Sequence, residues 1–178
     1  CEKGISVTAY DHRGHGRSGG RRGHIPGFDR LLQDLRQVAA RCREQLNPAL
    51  PLLLLGHSLG GLVVLRFAQT FGDDINGVIA SSPALAPAVS IPGTKALLGR
   101  IMSRLWPGLT FDNDLPPEYL SHDNTVVQAY MNDPLVHRRV SARLFTEMMG
   151  AMDQAAADAH RLSMPLLMQV AGQDRLVD

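Results

Sequence analysis

Cysteine is nearly absent from this sequence, which holds 2 in 178 residues, Cys1 and Cys42. Two cannot build a disulfide framework, and Cys42 falls on an apolar helical face where a reduced core thiol is the natural reading. Long apolar runs are missing too. Nothing approaches the ~18 consecutive apolar residues needed to span a bilayer, and no leader peptide pattern opens the chain. An excess of one charge is also lacking. With 18 basic and 17 acidic residues the net charge is +1, which leaves no electrostatic footprint for nucleic acid. There is no internal repeat and no low-complexity tract. No set of residues has metal-ligand spacing, since His12 and His15 supply a pair of ligands at best. Neither a metal nor another cofactor is expected. What remains is a chain that is 44% apolar, enough for one domain with a sizeable core.

Several stretches carry readable patterns. Gly4 to Tyr10 is β-branched and leads into the turn-rich Asp11-His-Arg-Gly-His-Gly-Arg-Ser-Gly-Gly20, so a strand and then a loop are expected. Apolar residues at 28, 31, 32, 35, 38, 39, 42 and 46 lie on one helical face, bounded by Pro26-Gly27 and Asn47-Pro48. Leu52 to Leu55 is continuously apolar, as in a strand covered on both faces of a parallel sheet. A helix over Leu59 to Phe71, stopped by Gly72, and buried strands at Gly77–Ala80 and Pro165–Ala171 complete an alternation of strand and helix. That alternation predicts a parallel α/β sheet.

Residues 83 to 160 break the rhythm with Pro83, Pro87, Pro92, Pro107, Pro116 and Pro117. Leu97, Leu98, Ile101 and Leu105 make a short apolar stripe there, with Lys95, Arg100 and Arg104 opposite, and further helices are expected over 123–132 and 138–157. So long an insertion between two sheet strands reads as a lid.

The stretch Pro51-Leu-Leu-Leu-Leu-Gly-His-Ser-Leu-Gly-Gly61 then raises the chemical question. A serine placed on a sharp strand-to-helix turn is forced outward at the carboxyl edge of the sheet, and glycines at 56 and 60 are expected to remove the collisions there. The start of the helix leaves backbone N–H groups free, so the amide of Leu59 can face a developing oxyanion. The alternative is a serine N-cap in a nucleotide-binding turn, but the glycine spacing of such motifs is absent.

Tyr10-Asp-His-Arg-Gly-His-Gly-Arg-Ser18, Gly56-His-Ser-Leu-Gly-Gly61 and Gly172-Gln-Asp-Arg-Leu-Val177 together resemble the serine α/β-hydrolases of the monoacylglycerol lipase, lysophospholipase and serine aminopeptidase-like group. Ser121-His-Asp-Asn and Asp133-Pro-Leu-Val-His137 resemble the cap region of that group. The resemblance implies a doubly wound, mostly parallel α/β-hydrolase sheet with a helical cap insertion, present here in part. The core would be 1–83 with 161–178, and the cap 84–160.

The resemblance further implies Ser58 as nucleophile, Leu59 N–H as oxyanion donor and Asp174 as the acid that orients a histidine, with Asp178 the other candidate. All seven histidines, at 12, 15, 24, 57, 122, 137 and 160, precede Asp174. The triad histidine and the upstream oxyanion loop are therefore expected outside this chain, which reads as a fragment. In the cap, Leu97, Leu98, Ile101 and Leu105 are the candidate substrate-tail contacts, and they also suit transient contact with a membrane surface. The expected activity is hydrolysis of lipid or lipid-like carboxylic esters by a cytoplasmic, membrane-peripheral enzyme. A peptidase or acyltransferase on the same triad, and a non-catalytic binding protein, are the alternatives.

Overall fold

The computed structural model describes residues 4–47, 49–87, 93–113, 116, 119 and 121–172. Helix α1, Phe28–Gln45, buries Phe28, Leu31, Leu32, Leu35 and Ala39 of the expected stripe, whereas Val38 and Cys42 are half-buried and Leu46, past the helix end, is exposed. Asp29 stands in its first turn and Arg43 in its last, both favourable for the helix dipole. The N–H of Phe28 has no acceptor within its own helix, and it donates to Glu147 Oε2 at 2.9 Å.

Strand β1, Leu53–His57, runs into helix α2, Leu59–Phe71, and a 3-10 turn over Gly72–Asp74 carries the chain to β2, Gly77–Ser81. Gly72 sits in the right-handed helical region, so α2 tightens into that turn instead of ending on a left-handed glycine. The cap region follows with α3 Gly93–Leu105, β3 Thr110–Asp112, α4 Asn124–Asn132, β4 Arg139–Ser141 and α5 Ala142–Ala157. A second 3-10 turn, Ala159–Arg161, leads to β5, Leu166–Gln169.

The main sheet has the order β1-β2-β5 with every pair parallel, which puts β2 in the middle. Parallel neighbours need a crossover, and α2 supplies the first. It is buried from Gly61 to Gln69, with Leu62, Val63 and Phe67 fully enclosed. Each such side chain contributes roughly 1.5–3 kcal/mol by leaving water. Two polar residues go under with them. Arg66 donates to Asp158 at 2.8 Å and to Gln69 Oε1 at 2.6 Å, and Gln69 Nε2 donates to the Ala155 carbonyl at 2.8 Å. Their partners lie mostly on or just past α5, so α5 is fastened to α2 by polar contacts as well as by Leu144, Ala151, Met152 and Ala155 in the shared core.

Helix α3 reaches the rest of the molecule by a different route. Arg143 Nη2 donates to the Ser103 carbonyl at 2.9 Å, Thr146 Oγ1 donates to Ser103 Oγ at 2.9 Å, and Gly99 lies beside the Phe145 ring. All three contacts are with α5. No described helix is long and apolar enough to cross a membrane.

Several expectations need correcting. Residues 4–10 form no strand ladder, and Ile5 and Val7 are 62% and 73% exposed. β-branched composition favours extended backbone, but a strand also needs a partner, and none of the described strands lies beside this segment. Strand β1 is covered on one face alone, since Leu54 is buried while Leu53 and Leu55 are 55% and 69% exposed. It is an edge strand, and no described element covers its second face. Strand β5, expected to be buried, is exposed along its length. The helix expected over 138–157 starts at Ala142, because Arg139–Ser141 is taken up by an antiparallel ladder with Thr110–Asp112.

Candidate active site

Ser58 lies between the last residue of β1 and the first of α2 with φ 53° and ψ −117°. For a side chain with a β-carbon this backbone is uncommon and costs on the order of 1–3 kcal/mol, so the surroundings must hold it. They do so on both sides of the residue. The Ser58 N–H donates to the Ser81 carbonyl at 3.0 Å. The Ser58 carbonyl accepts from Leu62 N at 3.1 Å and from Ala84 N at 3.0 Å.

The glycines of the motif divide the work differently from the sequence expectation. A β-carbon on Gly56 would run into the carbonyl of Gly60, and one on Gly61 would stand 2.8 Å from Pro83 Cα. At Gly60 a β-carbon would meet nothing within 4 Å. Glycine is therefore demanded at 56 and 61, and Gly60 contributes its backbone as the surface that Gly56 must clear. The sequence signal for Gly61 was the doubled glycine at 60–61, which chemistry-based reading of a single glycine after the serine passes over.

The N–H of Leu59 belongs to the first turn of α2, where no intrahelical acceptor exists. Asp174 and Asp178 lie outside the described residues; the chain is described up to Gly172, just past β5.

Five of the described histidines face a partner other than Ser58. His57 is exposed, and its Nδ1 faces Ser81 Oγ at 3.3 Å. His137 donates from Nε2 to the Gly14 carbonyl at 2.8 Å while its Nδ1 accepts from Arg139 N at 3.3 Å, so both ring nitrogens are occupied. His15 donates to the Arg13 carbonyl at 3.1 Å, and its ring lies 4.9 Å from that of His137. His24 Nδ1 meets Ser141 Oγ at 3.1 Å. His160 faces the Ala157 carbonyl, and His122 sits exposed before α4. His12 packs edge-on against Tyr10, and the Tyr10 hydroxyl and His12 Nδ1 are buried without a hydrogen-bond partner.

Sequence reading did not anticipate the junction these histidines build. The loop 11–24 is clasped to the segment 137–141 by His15, His24 and His137, by Ser141 N donating to the Gly23 carbonyl at 2.8 Å, and by contact between Gly23 and the Arg139 carbonyl. Positive φ at Gly14 and Gly23 shapes the loop for it. Burial is the largest cause that lowers the basicity of His12, His15 and His24; His15 lowers His12 further, His137 and Arg22 lower His15, and Arg21 and Arg143 lower His24.

Leu97, Leu98, Ile101 and Leu105 are all exposed, whereas Ser103, bonded to α5, is buried. Leu98 also lines a cavity of about 410 Å³ with Met102, Phe111, Val140 and Phe145. A larger, more polar cavity of about 570 Å³ lies between loop 11–26 and α1, lined by Tyr10, Arg13 and Asp34 among others and not by Ser58.

A strained serine between a parallel strand and a helix, on a turn that glycines alone permit, defines the molecule as an α/β-hydrolase. The chain belongs to the Hydrolase_4 family, described as "Serine aminopeptidase, S33", whose model matches residues 1–178. It is 31% identical over 175 residues to a monoacylglycerol lipase of Mycolicibacterium smegmatis, covering 98% of this chain and 62% of that one. It is 32% identical over 177 residues to the phospholipase YtpA of Bacillus subtilis, covering 98% of this chain and 67% of the relative. The crystal structure of a monoacylglycerol lipase from Paleococcus ferrophilus superposes with a TM-score of 0.82 at 38% identity, covering 91% of this chain and 60% of that one. The chain thus spans about three fifths of the length of these lipases.

Proposed function

We propose that this protein is a serine hydrolase that cleaves carboxylic esters of lipids through an acyl-enzyme, with Ser58 as nucleophile. The observation that carries the reading is the backbone of Ser58, at φ 53° on a strand-to-helix turn and held by hydrogen bonds at both its N–H and its carbonyl. Strain of this kind persists where a side chain must be presented. Ser58 Oγ attacks the acyl carbonyl, Leu59 N–H stabilises the oxyanion, and water releases the acid. The base in this reading is a histidine other than the seven of residues 1–178, and in support His15, His24, His57, His137 and His160 each face a partner other than Ser58. Asp174, five residues beyond the end of β5 in the sequence, orients that histidine. The lipid substrate class is supported by relatives named monoacylglycerol lipase and phospholipase.

Residues 84–160 form the cap in this reading, with α5 as its seat on the core. The exposed Leu97, Leu98, Ile101 and Leu105 contact the substrate tail and, together with exposed Arg100 and Arg104, rest on a lipid surface. The family description also names an aminopeptidase, so amide substrates are the second reading. The deciding experiment is fluorophosphonate labelling of the intact protein. Ser58→Ala is expected to abolish labelling; labelling that survives places the nucleophile elsewhere. Turnover of a monoacylglycerol but not of an aminoacyl anilide favours the lipase, and the reverse favours the peptidase.

A further inference from the structure

We infer that Ser82 is a positioning residue for Ser58, acting through its backbone conformation at the end of the central strand. The inference rests on the reading of Ser58 as the nucleophile. Among the described residues, two that are not glycine have positive φ, Ser58 at 53° and Ser82 at 37°. They follow the last residues of two neighbouring strands whose ends are in register, His57 opposite Ser81.

What Ser82 does there is visible in where the surrounding amides point. Before the reversal, the Ser81 carbonyl accepts from Ser58 N at 3.0 Å. At the reversal, Ser82 N donates to the Gln169 carbonyl at 2.7 Å, reaching across to the end of β5. After it, Ala84 N returns to donate to the Ser58 carbonyl at 3.0 Å, and Pro83 packs against Gly61. A chain leaving β2 with ordinary negative φ would continue away from the sheet edge. The left-handed turn at one residue lets four consecutive residues, 81 to 84, bind the nucleophile's backbone on both sides and the strand leading to Asp174 on the other.

Among the described residues, the Ser82 side chain makes no hydrogen bond. Its residue is buried, at 8% exposure, and its strained backbone would relax if it served packing alone, since any of the ordinary conformations is lower in energy. Losing the Ala84 contact would leave the Ser58 carbonyl with the Leu62 amide of α2 alone, and the Ser58 torsions could drift toward a relaxed value. A shift of about 1 Å in a nucleophile can cost on the order of 10²-fold in rate.

The test compares residues by their tolerance of positive φ. In the intact protein, Ser82→Gly and Ser82→Asn, which accept this backbone, are expected to keep kcat for p-nitrophenyl butyrate within several-fold of the parent. Ser82→Val, which resists it, is expected to lower kcat by about 10²-fold with KM nearly unchanged, and to slow fluorophosphonate labelling in parallel. Ser82→Ala, which meets nearly the same backbone cost as serine, is expected to stay near the parent, while the β-branched Ser82→Thr gives a loss like that of valine and stands in if the valine variant does not fold. Parent-like kcat and labelling in a folded Thr or Val variant would overturn the inference. So would equal losses in Gly, Asn and Val, which would assign the effect to the hydroxyl. Ser58→Ala is run beside them: if it still labels, the nucleophile assignment has failed instead.

Discussion

The α-carbon of Gly56 faces the carbonyl of Gly60 with no room for a methyl group between them. This approach is what brings the end of β1 and the start of α2 together tightly enough to leave Ser58 at the apex. Gly56→Ala is therefore expected to destabilise the protein by about 1–3 kcal/mol, as overpacking does, and to abolish fluorophosphonate labelling. Gly60→Ala, on a helical turn with open space, is expected to be neutral or stabilising by up to ~1 kcal/mol. Urea unfolding of both variants checks the contrast, and equal midpoints would show that the turn relaxes freely.

Ser58 itself stores strain that glycine would release. Ser58→Gly is expected to raise stability by about 1 kcal/mol, the relief of positive φ less the entropy that glycine adds to the unfolded chain. Labelling is lost at the same time. A fall in the unfolding midpoint would mean that the serine hydroxyl contributes to folding more than its backbone costs.

Asp174→Asn in the intact protein should cut kcat by roughly 10⁴-fold with the fold retained, by the logic of an acid that orients a neutral imidazole. Asp178→Asn should be mild. The opposite pattern in steady-state kinetics would move the acid by four residues.

The clasp between loop 11–24 and segment 137–141 should weaken in mild acid. His15 and His24 are less basic in place than their ordinary value of 6.5, through burial first, so protons bind preferentially to the released state. Their stabilising contribution is complete above about 6.5 and is lost as pH falls through their lowered values. Arg22 and His137 face His15, and Arg21 and Arg143 face His24, all opposing added positive charge, while Asp11 near His15 works the other way. Faster amide hydrogen exchange in 137–141 at pH 5 than at pH 7.5, after correction for intrinsic rates, is the expected outcome. His15→Gln should flatten that dependence, and an unchanged slope would assign it to other groups.

Replacing Leu97 and Ile101 by serine should weaken sedimentation with phospholipid vesicles and turnover of long-chain esters, with little effect on p-nitrophenyl butyrate. Equal losses on short and long acyl chains would make that face of α3 structural.

Much of this could be read in advance where a side-chain pattern reports its own surroundings. Helices α1 and α2 declare themselves by the spacing of apolar residues, and the Ser58 turn by glycines that replace side chains the turn cannot hold. The leucine run of β1 looks the same whether one face or both are covered, so its exposed Leu53 and Leu55 were not foreseeable. Strands β3 and β4 have three residues each, too few for alternation to register. Ser82 carries no compositional mark, since its conformation comes from what its neighbours bond. The histidine clasp joins residues more than a hundred positions apart, and local pattern is blind at that range.

The anchorage of α3 has a consequence for how such a protein diversifies. Its described hydrogen bonds to the rest of the molecule run to Arg143 and Thr146 of α5, and α5 in turn is locked into α2 by Arg66, Gln69 and the apolar core. Mutational pressure on residues 93–105 is thus insulated from the turn that carries Ser58, with a whole helix standing between them. Random substitution across this outer helix should yield many soluble, expressible descendants with altered tastes, whereas the same mutational load on α5 or α2 should mostly yield insoluble ones. Grafting the outer helix from one relative onto another, cut on either side of residues 93–105, is the recombination the architecture most readily forgives.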